Sequence, residues 1–197
     1  TSHPTMVLIS EEDMEAEKEK VRKQAEIAAG NRNYVVISET IARRGMLRAL
    51  DDMDVLCGYT SPYNPSFSVR AIETLEIDTL WSTPSLALKI GDLASKKESL
   101  ESVDTLILTG EPLSDLSRKK LEEYYSDPDI YLKYGSIETG TRAYQCEHLT
   151  GTDSYHIYPD KFFYEILEFD GDKNLEEDYG ELVTTKIWEN SYSPQIR

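Results

Sequence analysis

The chain has 197 residues, and its 37 acidic side chains outnumber its 21 basic ones, giving a formal net charge of −16. A hydrophobic fraction of 39% and a charged fraction of 29% are typical of a globular domain and exclude a disordered or fibrous chain. The acidic balance argues against nucleic acid as a partner, and no apolar run is long enough to cross a membrane. With two cysteines and no secretory leader, we expect a cytoplasmic protein.

The first two thirds of the chain alternates short apolar runs with amphipathic segments. This pattern predicts strands over 4–10, 34–38, 54–59, 78–82, 103–109 and 130–134. It predicts helices over 12–29, 41–50, 66–75, 84–95 and 113–125, the last opened by Ser114. Strands that alternate with helices at this spacing need crossover connections. The predicted fold is therefore α/β, with a parallel sheet and crossover helices.

The pattern changes after Gly140, where helical periodicity ends. Strands are predicted over 155–158, 162–169 and 180–188, and an acidic loop separates the last two. The sequence therefore predicts an appended antiparallel β module. We expect an α/β subdomain over 1–145 and a β-rich subdomain over 146–197.

Two glycine turns follow strands of the predicted sheet. Ligands of open parallel sheets bind beyond the carboxyl ends of the strands, so these turns are the first candidates for a site. The candidate residues are Gly110, Glu111, Pro112, Tyr134, Gly135, Ser136, Glu138 and Thr139. An aromatic ring that stacks on a base, beside a carboxylate that holds Mg²⁺, suits a nucleotide.

Four segments, in order, resemble the adenylate-forming (AMP-binding) superfamily. They read TGEPLSDLSRKKLEE, YGSIETG, YHIYPDKFFYEILE and GELVTTKIWENSYSPQIR. They are most similar to the phenylacetate–coenzyme A ligase branch, with its G-[AG]-E-P turn, Y-G-x-[ST]-E turn and G-E-L-V-x-T…P-x-I-R run. TSHPTMVLISEEDM and DTLWSTPSLALKIGDLA are similar to the family's phosphate-loop tail and its strand, T-P-S turn and helix. The resemblance covers nearly the whole chain.

The resemblance implies an acid–coenzyme A ligase that uses ATP, Mg²⁺ and coenzyme A. A carboxylic acid, either an aryl, phenylacetate-like acid or another small organic acid, is activated to an acyl-adenylate, and its acyl group is then transferred to coenzyme A. By this likeness, the turn Gly110–Pro112 flanks the adenine through backbone contacts. Tyr134 stacks on the adenine, and Glu138, the expected catalytic residue, binds the Mg²⁺ that bridges the ATP phosphates.

The sequence departs from the family pattern in ways that keep alternatives open. Ile137 replaces the hydroxyl residue that precedes the metal-binding carboxylate, unless Ser136 or Thr139 substitutes for it. The chain ends at Arg197, before the family's T-G-D segment and its lysine-bearing C-terminal domain, so we expect this piece alone to be incomplete. One alternative is a degenerate homologue that binds nucleotide or a partner without catalysis. Another is an adenylating enzyme with a carrier protein or a cofactor as acceptor. The oligomeric state stays open.

A second constellation lies where the two predicted subdomains meet. Thiolate and imidazole ligands suit tetrahedral Zn²⁺, and Cys146, His148 and His156 fall close together in sequence. Asp160 or Cys57 could supply a fourth ligand. The spacing is not that of a standard zinc finger, so the alternative is a polar loop with an inert thiol and two surface imidazoles. A zinc here would be structural, because the chemistry implied by the resemblance needs only Mg²⁺.

Overall fold

A computed structural model describes residues 33–37, 56–94, 100–136, 140–169, 179–187 and 195–196. The predicted elements at 4–10, 12–29 and 41–50 lie outside these ranges. Within them, none of the helices has both the length and the apolar character that crossing a membrane requires.

A seven-stranded sheet forms the larger part of the structure. Its strands are β1 (Asn33–Ile37), β2 (Leu56–Thr60), β3 (Thr79–Ser82), β4 (Thr105–Thr109), β5 (Asp129–Ser136), β6 (Gly140–Tyr144) and β7 (His156–Ile157). The spatial order is β2-β1-β3-β4-β5-β6-β7. The first five strands pair in parallel, and β5–β6 and β6–β7 pair antiparallel. The predicted parallel sheet is confirmed, and each predicted strand of its parallel part that falls in the described ranges is matched to within two residues.

Three crossover helices connect the strands from β2 to β5. They are α1 (Pro65–Leu75), α2 (Pro84–Ala94) and α3 (Asp115–Tyr124). Proline opens α1 and α2, where its missing N–H costs no helical hydrogen bond. Ser114 begins α3 as predicted, since its hydroxyl accepts a hydrogen bond from the backbone N–H of Ser117 at 3.2 Å.

The hydrophobic core lies between these helices and one face of the sheet. Its fully buried members include Ile72, Leu80, Ile90, Leu106, Leu108 and Leu121. Tyr125 is buried with them, and its hydroxyl donates to the carbonyl oxygen of Ala87 at 2.8 Å. Burial raises the pKa of Tyr125, because an ionised phenol would lose its hydration. The core therefore fixes β3, β4 and the start of β5 relative to one another.

Strand β6 was not predicted from the sequence. It returns antiparallel to β5, and Gly135 permits this close pairing because a side chain there would collide with the carbonyl oxygen of Gly140. The register is interrupted once: Tyr134 pairs with Ala143, whereas Gly135 pairs with Thr141. Arg142 is thus the extra residue of a β-bulge, a feature that re-aims side chains beside functional sites.

A second, antiparallel sheet follows. It contains β8 (Phe162–Leu167), β9 (Glu181–Lys186) and β10 (Gln195–Ile196), in the order β10-β9-β8. The appended antiparallel module is confirmed. The predicted strand 155–158 is shortened to β7, which pairs with β6 at the edge of the first sheet. The division at residue 145 stays a prediction.

Candidate functional site

Two turns and the last residues of β5 lie together at the carboxyl edge of the parallel strands. Ser82 at the end of β3 is level with Leu108 in β4, and Thr109 is level with Lys133 in β5. The turns over 83–85 and 110–112, which follow β3 and β4, therefore begin beside residues 134–136 of β5. This is the edge at which open α/β sheets bind their ligands.

The turn after β4 is tied to the turn after β3. The carboxylate of Glu111 accepts two hydrogen bonds from Ser85: 3.0 Å from the backbone N–H and 2.7 Å from the hydroxyl. Ser85 lies in the first turn of α2, where the helix dipole favours negative charge. Because the Glu111 side chain is engaged in this way, the backbone of the turn is what remains for a ligand.

Gly110 allows the turn after β4 to form. Its φ of +86° lies in the left-handed region, which a side chain disfavours. Gly110 and Glu111 are both exposed at the edge. Pro112, which has no N–H, can offer a ligand only its carbonyl oxygen and its ring.

Tyr134 lies at the end of β5, beside this turn, with 42% of its surface exposed. The guanidinium carbon of Arg142 is 4.6 Å from the centre of its ring. The arrangement is an aromatic surface that is supported by a cation and still accessible from solvent. Such a surface can accept the flat face of a base.

Arg142 is a residue that the sequence analysis missed. Only 6% of it is exposed, and its Nη1 donates to the hydroxyl of Thr184 in β9 at 3.0 Å. Its Nε is buried and has no hydrogen-bond partner among the residues that the structure describes. The only available signal was a single basic residue in GTRAY, just after the Y-G-S-I-E-T-G turn.

Lys133 and Trp81 form a second cation–ring pair near the same edge. The Lys133 Nζ lies 4.1 Å from the centre of the Trp81 ring. Burial lowers the pKa of Lys133, because removal of water disfavours the ammonium form. Trp81 is buried, and within the described ranges its indole N–H finds no hydrogen-bond partner.

The remaining nucleotide-site predictions are only partly within the described residues. Gly135 and Ser136 complete β5, and Ser136 pairs with Gly140. Glu138 and Thr139 lie outside the described residues, as does Ile137. The predicted Mg²⁺ ligand therefore stays a prediction.

The three predicted zinc ligands are not assembled. Cys146 Sγ lies 3.1 Å from His156 Nε2, so these two side chains do meet. His148 does not join them: its side chain is 83% exposed, and its Nε2 lies 3.4 Å from Glu147 Oε1. Across the described part of the chain, no three His, Cys, Asp or Glu side chains are grouped so as to hold a metal.

The reason lies in the local backbone and the sheet topology. Turns over 147–152 carry His148 away from β6, while His156 returns in β7 and pairs with Tyr144. Cys57 cannot complete the set, because β2 is at the opposite edge of the seven-stranded sheet from β7. The structure brings Cys146 and His156 together without His148, and a zinc site at these residues stays a prediction.

Comparison with known proteins identifies solved structures that have a similar fold. No protein-family model matches the chain, and no curated protein matches it. Among solved structures, 2-hydroxyisobutyryl-CoA ligase in complex with 2-HIB-AMP and CoA is similar, with a TM-score of 0.64 and 17% identity over 90% of this chain and 42% of that chain. A long-chain-fatty-acid-CoA ligase from Archaeoglobus fulgidus gives a TM-score of 0.63 and 11% identity, over 84% and 36% of the two chains. VinN gives 0.57 and 17%, over 84% and 42%.

The chain therefore shares the fold of these proteins, two of which are CoA ligases, and the resemblance is confirmed at the level of fold. It spans about two fifths of the length of these proteins. The finer assignment to the phenylacetate–coenzyme A ligase branch stays a prediction.

Proposed function

We propose that this chain is the nucleotide-binding part of an enzyme that activates a small carboxylic acid with ATP and transfers the acyl group to coenzyme A. One observation carries the proposal: at the carboxyl edge of the sheet Thr109 pairs with Lys133, so the turn over 110–112 begins beside Tyr134, whose side chain is exposed. The fold shared with acyl-CoA ligases supports it.

In this proposal the two turns bind the purine from different sides. The Tyr134 ring stacks on its flat face, and the backbone of Gly110 and Glu111 supplies polar groups at its edge. The Glu111 carboxylate does not touch the base, because Ser85 occupies both of its oxygens. The side chain instead holds the turn in place, so a Glu111 variant should alter nucleotide binding indirectly.

The proposed chemistry is acyl transfer in two steps. A carboxylate oxygen of the acid bonds to the α-phosphorus of ATP as the bond to pyrophosphate breaks. The coenzyme A sulfur then bonds to the acyl carbon, its proton is lost, and AMP leaves. The described residues contribute by positioning the nucleotide, which is a large part of catalysis in such reactions. Glu138 is the proposed Mg²⁺ ligand, and the metal would neutralise phosphate charge.

A second candidate function is nucleotide binding without catalysis. Ile137 favours it, because an aliphatic side chain stands where the family's phosphate-contacting hydroxyl is expected. Under this alternative the Tyr134 edge still binds ATP, but no acid is activated. A carrier protein as final acceptor is a variant of the first proposal and changes only the second step.

Exchange of labelled pyrophosphate into ATP, measured on the full-length protein with Mg²⁺ and a panel of carboxylic acids, tests the proposal. We expect exchange with at least one acid. We expect Tyr134→Leu to raise the ATP concentration at half-maximal rate by about tenfold or more, since base stacking is worth ~1–3 kcal/mol. Tyr134→Phe keeps the ring and is the matched control.

The outcomes separate the two candidates. ATP binding without exchange for any acid would favour the non-catalytic homologue. An absence of ATP binding, or equal behaviour of the Leu and Phe variants, would overturn the site itself.

A further inference from the structure

Arg142 makes contacts that join the nucleotide edge to the second sheet. We propose that it is a positioning residue, which holds the Tyr134 ring in the orientation that receives the purine. The inference rests on the proposed function, since it assigns a role within the same site. It differs from that proposal in naming a residue that need not touch the nucleotide.

The β-bulge is the first step of the argument. In a regular ladder, position 142 would pair with a residue of β5, and its side chain would lie on the opposite face of the sheet from those of residues 141 and 143. In the bulge, the register shift falls between Tyr134 and Gly135. The guanidinium of the inserted Arg142 lies over the Tyr134 ring, at 4.6 Å from its centre.

The second step is that hydrogen bonds hold both the side chain and the backbone of Arg142. Its Nη1 donates to Thr184 in β9, and its backbone carbonyl oxygen accepts a hydrogen bond from the Tyr164 hydroxyl of β8 at 2.6 Å. The Tyr164 oxygen also accepts from the backbone N–H of Tyr158 at 3.2 Å. Arg142 therefore cannot shift without disturbing two strands of the second sheet.

The third step concerns charge. Arg142 is buried, and among the described residues it contacts the Tyr134 ring and the Thr184 hydroxyl, both of which are neutral. Within that part of the chain the buried guanidinium loses hydration without an acidic partner, and an apolar side chain of similar size would fill the space at lower cost. What the guanidinium adds is attraction to the face of an aromatic ring, which is strongest where water is excluded. The contact thus serves the placement of the ring.

A double-mutant cycle on ATP affinity tests the inference in the full-length protein. We expect Arg142→Gln to weaken ATP binding by about tenfold, as a desolvated cation–ring contact allows. At saturating ATP, we expect the turnover rate to fall by less than about threefold, because a residue that acts on binding changes KM more than kcat. In a Tyr134→Leu background, Arg142→Gln should cause little further loss, because the ring through which it acts is gone.

Two further variants separate positioning from general structural support. Thr184→Val removes the hydroxyl that holds Nη1 and should weaken ATP binding in the same direction but less. Arg70→Gln is the matched control: Arg70 lies 5.7 Å from the Phe67 ring in α1, away from this edge, and ATP affinity should not change. Arg142→Lys keeps the charge without the planar fork and should retain part of the affinity.

A measurement without nucleotide makes the inference independent of the proposed function. The rate at which an acetylating reagent modifies the Tyr134 hydroxyl can be followed by peptide mass spectrometry. We expect a severalfold change in Arg142→Gln, a smaller one in Thr184→Val and none in Arg70→Gln. Unchanged modification in the first variant, or an equal loss of ATP affinity in the Tyr134→Leu background, would overturn the inference. Failure of wild-type protein to bind ATP would overturn the proposed function alone, and the modification rates would still decide the role of Arg142.

Discussion

The two candidate sites that the sequence predicts differ in whether the fold brings their residues together. The turn at Gly110 and the end of β5 at Tyr134 are far apart in sequence, yet the adjacent parallel strands β4 and β5 bring their backbones side by side. Cys146 and His148 are close in sequence, yet the turn between them sends one toward His156 and the other into solvent. Regular strands that share a core bring distant residues together, whereas nearness along an irregular loop does not.

The largest effect should come from weakening the core beneath the carboxyl edge of the sheet. Leu106 is fully buried in β4, so Leu106→Ala should lower the free energy of unfolding by about 3 kcal/mol, through lost burial and the cavity that remains. Urea denaturation measures this, with Leu116→Ala as control because Leu116 is 68% exposed. Similar losses in the two variants would contradict the view that the core fixes this edge.

The next largest effect on stability should come from breaking the hydrogen bonds that link the turn after β4 to the turn after β3. Glu111→Gln replaces a carboxylate that accepts two hydrogen bonds from Ser85, and we expect a loss of about 1 kcal/mol, limited by solvent exposure. ATP affinity should fall with it, because the turn is less firmly held. Glu101→Gln, an exposed acid near the start of β4, is the matched control. Equal unfolding midpoints for the two variants would show that the Ser85 contact does not stabilise the turn.

Lys133 gives a smaller effect that depends on pH. Burial lowers its pKa in the folded protein, so the unfolded chain binds more protons between that value and the ordinary ~10.4. Stability therefore rises with pH in this window, and the cost of the buried ammonium is fully present below it. We expect Lys133→Met to be more stable than wild type at pH 7 by about 0.5 kcal/mol, with the gain shrinking toward pH 10.

Thermal or urea unfolding over this pH range provides the measurement. Lys89→Met is the control, because Lys89 is exposed in α2. A constant gain for Lys133→Met across the range would mean that apolar packing, and not the charge of the ammonium, dominates the position.

The smallest effect on stability should come from a substitution in the turns over 147–152. His148→Ala should change the melting temperature by less than about 1 °C, because an exposed contact between charged groups contributes little. Elemental analysis of the purified protein extends the test to the metal. Stoichiometric zinc that is lost in both Cys146→Ser and His148→Ala would show that the loop rearranges into the three-ligand site.

The strands and helices from β2 to β5 were predictable because each carries its own signal. Ser114 caps α3 where a helix start was expected, and Pro84 opens α2. Strand β6 gave no such signal, since GTRAY has neither an apolar run nor clean alternation and contains a bulge. The two turns of the candidate site could be placed at one edge from parallel topology alone.

The contacts of the site could not be predicted in the same way. The link between Glu111 and Ser85 joins residues from different crossover units, and the contact of Arg142 with Tyr134 depends on a one-residue shift in register. Neither follows from composition or spacing. The zinc site stays a prediction, because spacing alone carries no information about the path of the loop that separates His148 from Cys146 and His156.

The hydrogen bonds from Ser85 to Glu111 also bear on the thermodynamics of ligand association. A flexible loop must lose conformational entropy when it closes on a small molecule, and that loss subtracts from affinity. In this protein the two hydrogen bonds from Ser85 already order the loop after β4 in the folded state. A nucleotide would meet a preorganised surface, and its binding should carry little of the ordering cost that a mobile loop imposes.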